Sequence, residues 1–469
     1  MVPAVLITAT RKSSGKTSFS LGLAAALYER GHRVQTFKKG PDYIDPMWLS
    51  WSSHRPCFNL DFYTMPTAEI CTVYQNCSRG ADTVIVEGNK GLHDGMAVDG
   101  SDSSAALAEL LGLPVILLVD TSGITRGVAP LVRGYQNFEP RVRIAGIVLN
   151  KVAGARHEQK LRDAVEHYCD IPVIGAIGRN AEIEIEERHI GLVPSSEEPG
   201  AQARVEAIRR IVSDSVDIDT LLKLACGSPN EGAPVPHRVK TGGGEQLRIG
   251  VARDRAFCFY YPDDLETMKR LGAEIVCFDT LRDTALPEVD ALFIGGGFPE
   301  LHLDDLAHNA GMKADIRRFV NDGRPVYAEC GGLMYLCREI ICKGSSQPMV
   351  GALPASAVMQ SRPVGRGYVR LRETNRHPWP PAGGSADREL AVHEFHYSRL
   401  VDLDADVEFA YDVVRGAGIR DGKDGLVYKN TLATYSHHRN VGGNRWVERF
   451  IRHAERFRAD RIAVRNLAL

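Results

Sequence analysis

Neither sign of charge predominates in the 469-residue sequence: 57 Lys and Arg stand against 59 Asp and Glu, a formal net charge of -2. Binding a polyanion by bulk attraction needs a positive surplus, so nucleic acid is not an expected partner, although a local basic pocket is compatible with the balance. Long apolar runs are missing too. The longest, such as residues 114–119, fall far short of the roughly 20 residues of a membrane span, and no membrane partner is expected. The ten cysteines include no C-x-x-C pair, which removes zinc ribbons and thioredoxin-like redox sites and leaves most of them as small buried hydrophobes in a reducing compartment. No positive charge precedes the apolar start, the first being Arg11 and Lys12, so no signal peptide is read and the chain is expected to be cytoplasmic. No internal repeat is evident. With 44% hydrophobic and 25% charged residues, the composition is that of a globular chain, long enough for several domains.

Short β-rich runs at residues 4–7, 33–37, 83–86, 115–119, 144–149 and 173–177 alternate with helix-length stretches. Runs apolar on both faces, spaced in this way, predict a parallel sheet covered by helices. Residues 226–246, CGSPNEGAPVPHRVKTGGGEQ, have no periodicity and read as a linker. Strand signals resume at 248–252, 274–278, 291–294 and 325–328, with helical segments at 263–270 and 313–320, predicting a second α/β domain.

After the first strand comes TATRKSSGKT, residues 8–17, and then an apolar periodic stretch over 19–27. Gly15, Lys16 and Thr17 match the end of a P-loop, in which backbone N–H groups cradle phosphates, the Lys reaches the outer phosphates and the Thr ligates Mg²⁺. The first glycine of that pattern is replaced by Thr10, and a Gly-Lys-Thr tripeptide alone is also compatible with an exposed loop. The strand before it and the helix after it favour nucleotide binding. Glu87 ends an apolar strand, where a carboxylate can hold the Mg²⁺ of bound ATP or simply face solvent or cap a helix. Asn150 ends another, placed either to meet an adenine edge or to serve the fold.

Two loops at strand ends, KKGPDYIDP at 38–46 and GLHDG at 91–95, are compositionally ordinary turns, yet strand C-terminal loops are where ligands bind in open α/β sheets. Taken with N-L-D at 59–61 and E-G-x-x-G-L-x-D-G at 87–95, they resemble the glutamine-dependent cobyrinic acid a,c-diamide synthase family. The resemblance continues through ERHIGL at 187–192 and into the second domain. It implies an ATP- and Mg²⁺-dependent ligase that turns peripheral acetates of a modified tetrapyrrole into amides through an acyl phosphate. Thr17, Asp42 and Glu87 are then expected at the metal, and Asp45 and Asp94 in the chemistry, with Asp94 receiving or steering ammonium. Tyr43, Asn89 and Lys90 are expected against the substrate.

In the second domain, PVYAECGGL at 325–333 reads as a buried strand, a tight turn carrying Cys330 and a helix start, a geometry that exposes a thiol and favours thiolate. A lone Cys after a strand is more often structural. Here IGGGFPE at 294–300 offers flexible backbone N–H groups, and TYSH at 434–437 an imidazole; together they resemble the class I, triad-type glutaminase domain of the same family. By that match Cys330 attacks the side-chain amide of L-glutamine, His437 carries protons, and Gly296 and Gly297 form the oxyanion hole. Arg439 departs from the acid that many glutaminases carry two residues beyond the His, which leaves the third member of the relay open. His438 is the less favoured base. HEFHYS at 393–398 lacks the H-E-x-x-H order and reads as a structural or interdomain element, not a metal site.

The expected architecture is α/β. A P-loop NTPase-type parallel sheet domain, dethiobiotin-synthetase-like, spans residues 1–225 as the ATP-dependent amide synthetase, a linker spans 226–246, and a class I glutamine amidotransferase domain spans 247–469. Family members that amidate cobyrinic acid carry an apolar pair where this chain has Asn89 and Lys90. EGNKGL, RHEQKLR at 156–162 and GGNRW at 442–446 look like the subgroup associated with dissimilatory sulfite reductase, which makes sirohaem the first expected substrate and cobyrinic acid the second. A homodimer is compatible with the sequence, which does not itself set the oligomeric state. The competing classes are a P-loop switch ATPase with an inert glutaminase-like domain, which has no need of Cys330 and His437, and a ligase of nucleotide substrates, which gives no reason for KGPDYIDP.

Overall fold

In a computed structural model of the protein, the apolar runs of the first half become one sheet. The structure describes residues 2–180, 187–188, 191–192, 200–225, 246–379 and 389–467, with side chains over 2–180, 200–225, 246–379 and 389–463. The chain divides into two compact units, Met1–Val235 and Pro236–Leu469. The stretch 226–245, read as a linker, lies outside the described residues. Among the described residues no helix is long and apolar enough to cross a membrane.

In the first unit β1 (Ala4–Ala9), β2 (Val34–Lys39), β3 (Phe58–Leu60), β4 (Thr83–Glu87), β5 (Val115–Asp120), β6 (Ile144–Val152) and β7 (Val173–Gly178) lie in the order β3-β2-β4-β1-β5-β6-β7. Every pairing is parallel. The helices are α1 (Lys16–Glu29), α2 (Ile44–Ser53), α3 (Thr67–Cys77), α4 (Ser104–Leu111), α5 (Val128–Phe138), α6 (Ala155–Cys169), α7 (Ala201–Ser215) and α8 (Ile218–Leu224). All six residues of β1 are buried, as a central strand covered on both faces must be. Helix α1 is buried from Phe19 to Leu27 on nearly every side, because it lies between the sheet and α7, so an apolar stripe on one face would not suffice. The motif at 187–192 is described only as a short backbone hairpin, β8 (Glu187–Arg188) and β9 (Gly191–Leu192); the rest of it lies outside the described residues.

In the second unit the strands are β10 (Leu247–Ala252), β11 (Phe257–Phe259), β12 (Ala273–Phe278), β13 (Ala291–Ile294), β14 (Gly296–Gly297), β15 (Val326–Glu329), β16 (Glu339–Cys342), β17 (Ser345–Pro348), β18 (Ser356–Met359), β19 (Gly365–Glu373), β20 (Glu389–His396), β21 (Ser398–Val401), β22 (Glu408–Arg415), β23 (Lys423–Tyr428) and β24 (Thr431–Thr434). The helices are α9 (Pro262–Arg270), α10 (Leu303–His308), α11 (Ala310–Asn321), α12 (Gly331–Leu336) and α13 (Trp446–Leu467). Nine strands form one sheet in the order β12-β10-β13-β15-β24-β23-β22-β19-β20, and β17-β16-β18-β21 form a smaller one. The first five are parallel and the last four antiparallel. Along β15, Val326 and Ala328 join one hydrophobic core while Tyr327 joins the other with Trp379, Trp446 and Phe450. This alternation sends the next residue, Glu329, to the Tyr327 face at the strand's C-terminal end.

Candidate active sites

In the first unit the loop between β1 and α1 ends at Gly15, whose φ of 84° is left-handed, a conformation that costs glycine little. A Cβ there would lie 2.4 Å from Asn150 Nδ2. Asn150 is packed beneath the loop: Nδ2 donates to the Ser14 carbonyl oxygen at 2.8 Å, and Oδ1 accepts from the Lys151 amide. Asn150, expected at an adenine edge, is thus tied to the loop that ends at Gly15. Arg11 and Lys151 both reach Asp120 Oδ2, at 2.9 and 3.3 Å. Burial opposes that carboxylate's charge, but Ser122, Arg11 and Lys151 hold it well below the ordinary range.

Lys16 and Thr17 open α1 and meet the ends of β2 and β4. Thr17 Oγ1 lies 2.8 Å from Glu87 Oε1 and 3.3 Å from Asp45 Oδ2, and Lys38 Nζ lies 2.7 and 2.5 Å from the same two oxygens. Burial disfavours the Lys38 charge, yet Asp45 and Glu87 reverse this and hold it well above the usual lysine value. Burial, with the neighbouring Lys38 charge, lowers Lys16 to about 8. Asp42, expected at the metal, spends Oδ1 on the amides of Ile44 and Asp45 at the start of α2; burial first and Asp45 second push it upward. The carboxylates that meet Thr17 are thus Asp45 and Glu87. Glu87 Oε2 is buried with no hydrogen-bond partner among the described residues. An orphaned carboxylate oxygen beside a hydroxyl and a second carboxylate is the hard oxygen set that suits Mg²⁺, which takes few protein ligands and completes its shell with phosphates and water. The residues present fit the metal.

The two loops expected to meet substrate come to this cluster. Asp94 Oδ2 accepts from the Gly91 amide at 2.8 Å and lies close enough to Lys16 to favour its charge. Asn89 is held by its backbone to the Ser104 hydroxyl. Lys90 is exposed and left-handed, with φ 54°, and its charge reaches Lys39 at the end of β2. Tyr43 is buried at the entry to α2. The sequence motifs assign Lys38 and Lys39 no separate role. Their signal is two lysines at the end of a buried strand, where an unpaired charge is too costly to keep.

In the second unit Cys330 sits between β15 and α12 with φ 47° and ψ -100°, a sharp strand-to-helix turn. Its amide donates to the Thr434 carbonyl oxygen at 2.7 Å, and its thiol lies 3.9 Å from the Phe395 carbonyl oxygen and close enough to His437 to favour the imidazolium. Burial opposes the imidazolium, but Cys330 and Glu329 outweigh it and raise His437 to about 10. His437 stacks on His393, with ring centroids 4.9 Å apart, and donates its amide to the His393 carbonyl oxygen at 2.7 Å. HEFHYS therefore buttresses this site within its own unit. Its Glu394 accepts from the amides of Ala417 and Gly418. His438 is buried, and burial and His437 push it down to about 3.

A Cβ on Gly296 would lie 2.7 Å from His437 Cε1, and one on Gly297 2.0 Å from the Ala256 carbonyl oxygen. Only glycine lets this backbone come so close to the imidazole and to the neighbouring strand. Arg439 is buried and pairs with Asp263 Oδ2 at 2.8 Å beneath the Tyr261 ring. The acid that faces His437 is Glu329, its Oε2 3.4 Å from Nδ1, a residue the sequence motif quoted without a role.

Residues 5–193 match the family described as the CobQ/CobB/MinD/ParA nucleotide binding domain, and residues 248–443 the CobB/CobQ-like glutamine amidotransferase domain. Over 450 residues, 95% of this chain and 96% of the relative, the sequence is 46% identical to a cobyrinate a,c-diamide synthase of Magnetococcus marinus. It is 39% identical to one of Methanosarcina barkeri over 488 residues, 98% of each chain. With one of Archaeoglobus fulgidus the identity is 36% over 454 residues, covering 97% of this chain and 98% of that one.

Proposed function

The chain belongs to the cobyrinate a,c-diamide synthase family and is an ATP-dependent ligase that takes its amide nitrogen from glutamine; from this premise we propose that it amidates peripheral acetate carboxylates of a modified tetrapyrrole, with the ATP-dependent step assigned to residues 1–225 and glutamine hydrolysis to 247–469. The carrying observation is that one chain holds both the Lys16, Thr17, Asp45 and Glu87 cluster and the Cys330 and His437 pair.

A carboxylate is a poor acyl donor until its oxygen leaves as phosphate. In this reading a substrate carboxylate attacks the γ-phosphorus of ATP while Lys16 contacts the outer phosphates, a transfer that depends on positioning and charge neutralisation. Mg²⁺ held by Thr17, Asp45 and Glu87 would neutralise charge on the transferred group. Ammonia then attacks the acyl carbon, phosphate departs with the C–O electron pair, and Asp94 takes the excess proton. Lys39 and Lys90 offer positive charge to the other carboxylates of the macrocycle. In the glutaminase half the Cys330 thiolate attacks the amide carbon, the oxyanion meets backbone N–H groups at Gly296 and Gly297, and His437 gives the departing ammonia its proton. Water then releases glutamate from the thioester.

We propose sirohaem as the macrocycle, supported by the polar Asn89 and exposed Lys90 in the substrate loop. Cobyrinate is the second reading, supported by the names of the relatives. Mass spectrometry of each compound after incubation with protein, ATP, Mg²⁺ and glutamine separates them, since each new amide lowers the mass by about one unit. Loss only from sirohaem supports the first reading, and a double loss only from cobyrinic acid the second. No loss from either overturns the tetrapyrrole assignment.

A further inference from the structure

The acid that completes the cysteine–histidine relay is missing from its expected place, because Arg439 stands two residues beyond His437 and is engaged with Asp263. Other nearby acids are also committed. Asp264 accepts from the Asn440 amide and Trp446 Nε1. Asp424 accepts from the Thr434 hydroxyl and from the amides of Gly425, Tyr435 and Ser436. Glu394 accepts from Ala417 and Gly418 and lies 3.7 Å from His396 Nε2.

Glu329 differs in how its two oxygens are used. It is 2% exposed, and the β15–β24 register sets it opposite Thr434, three residues before His437. Oε1 accepts from the His438 amide at 2.9 Å and from the Tyr327 hydroxyl at 2.5 Å, so the carboxylate cannot swing away. Oε2 is left to face His437 Nδ1 at 3.4 Å. One face of the imidazole is covered by the His393 ring, and Cys330 lies close enough to favour its charge. We infer that Glu329 is the third member of the relay, a positioning residue supplied from just before the nucleophile, whose carboxylate orients the His437 ring and stabilises its positive charge. This rests on the reading of Cys330 and His437 as the glutaminase pair.

A purely structural role would belong to Oε1, which anchors the turn carrying His437 and His438. Glu329→Gln separates the two roles. The amide oxygen can still accept from His438 and Tyr327, while an NH₂ group replaces the carboxylate oxygen opposite Nδ1 and disfavours a proton there. The test measures glutaminase kcat and KM in the full chain, together with the pH dependence of Cys330 alkylation by iodoacetamide, read by peptide mass spectrometry. Ammonium-supported amidation and the thermal melt report an intact chain. Glu329→Gln should lower kcat by about 10²–10⁴-fold, in line with other triads that lose their acid, with little change in KM. The alkylation inflection should move to higher pH, because the imidazolium that stabilises the thiolate is weakened. Unchanged kcat and an unmoved inflection overturn the inference. Should Glu329→Gln fail to fold, Glu329→Asp carries the test: its withdrawn carboxylate should lower kcat and raise the inflection, and wild-type behaviour overturns the inference. Cys330→Ala distinguishes the two possible failures. Persisting glutamine hydrolysis in that variant overturns the underlying reading, whereas an inactive Cys330→Ala beside an unimpaired Glu329→Gln overturns the role of Glu329 alone.

Discussion

Lys38 and Glu87 are register partners on neighbouring parallel strands, and the Lys38 ammonium lies 2.7 Å from Glu87 Oε1 at the mouth of the phosphate loop. One buried cation thus holds together the two carboxylates, Asp45 and Glu87, that Thr17 also touches. Without it the buried Glu87 and the partly buried Asp45 would face each other with no cation between them.

Lys38→Met keeps most of the side-chain volume and removes that charge. Breaking a buried ion pair from one side costs about 3–5 kcal/mol, so the first unit's melting transition should fall. Amidation should be lost with glutamine and with ammonium alike, while glutamine hydrolysis by the second unit continues. A variant with near-normal amidation would show that Lys38 is dispensable to the cluster.

Lys16 links nucleotide binding to pH. In the nucleotide-free protein burial and Lys38 lower it to about 8. Phosphate oxygens arriving beside it favour the ammonium form and raise its pKa, so ATP binding takes up a proton wherever free Lys16 is partly neutral. Affinity should be full below about pH 8 and fall, approaching tenfold per unit, as pH rises through that value towards the pKa of the complex. Calorimetric titration at about pH 8.5 in two buffers of different ionisation enthalpy should show net proton uptake. Zero uptake would mean that Lys16 is already charged before ATP arrives.

The two activities should come apart in opposite senses. Cys330→Ala should abolish glutamine-supported amidation and leave ammonium-supported amidation largely intact, because in the proposed division of labour the thiol serves only to release ammonia. Lys16→Ala should abolish amidation from either source and leave some glutamine hydrolysis. Coupled assays of phosphate and glutamate release check both, and loss of both activities in a folded Cys330→Ala would refute the division of labour.

Local pattern revealed what local chemistry dictates. β1, β4 and β5 are legible because they are apolar on both faces, and Gly15, Lys16, Thr17, Cys330 and His437 because each lies in a short motif. β3 carries little strand signal, being three residues long with polar Asn59 at its centre, whose amide ties down the carbonyls of Gly40 and Asp42. The antiparallel half of the second sheet was equally hard to see. β19 reads GRGYVRLRE with only one face buried, so its charged positions mask the strand signal. Lys38 and Glu329 were hidden for another reason: each acquires its partner through strand register, Lys38 opposite Glu87 and Glu329 opposite Thr434. Register between strands distant in sequence is not written in either strand alone.

Arg439 provides the complementary test of the relay. Its guanidinium is almost fully buried, 2.8 Å from Asp263 and stacked over Tyr261. Burial opposes the charge, but Asp263 and Tyr261 prevail and raise its pKa further above the arginine value. Arg439→Met would take the partner cation away from the partly buried Asp263 and should lower the second unit's melting temperature. If Arg439 serves the fold alone, kcat per folded molecule should change little below that transition, and the pH dependence of Cys330 alkylation should stay where it is. A shifted alkylation profile in Arg439→Met would instead place Arg439 in electrostatic contact with the relay, and Cys330 and Glu329 would no longer account by themselves for the charge on His437.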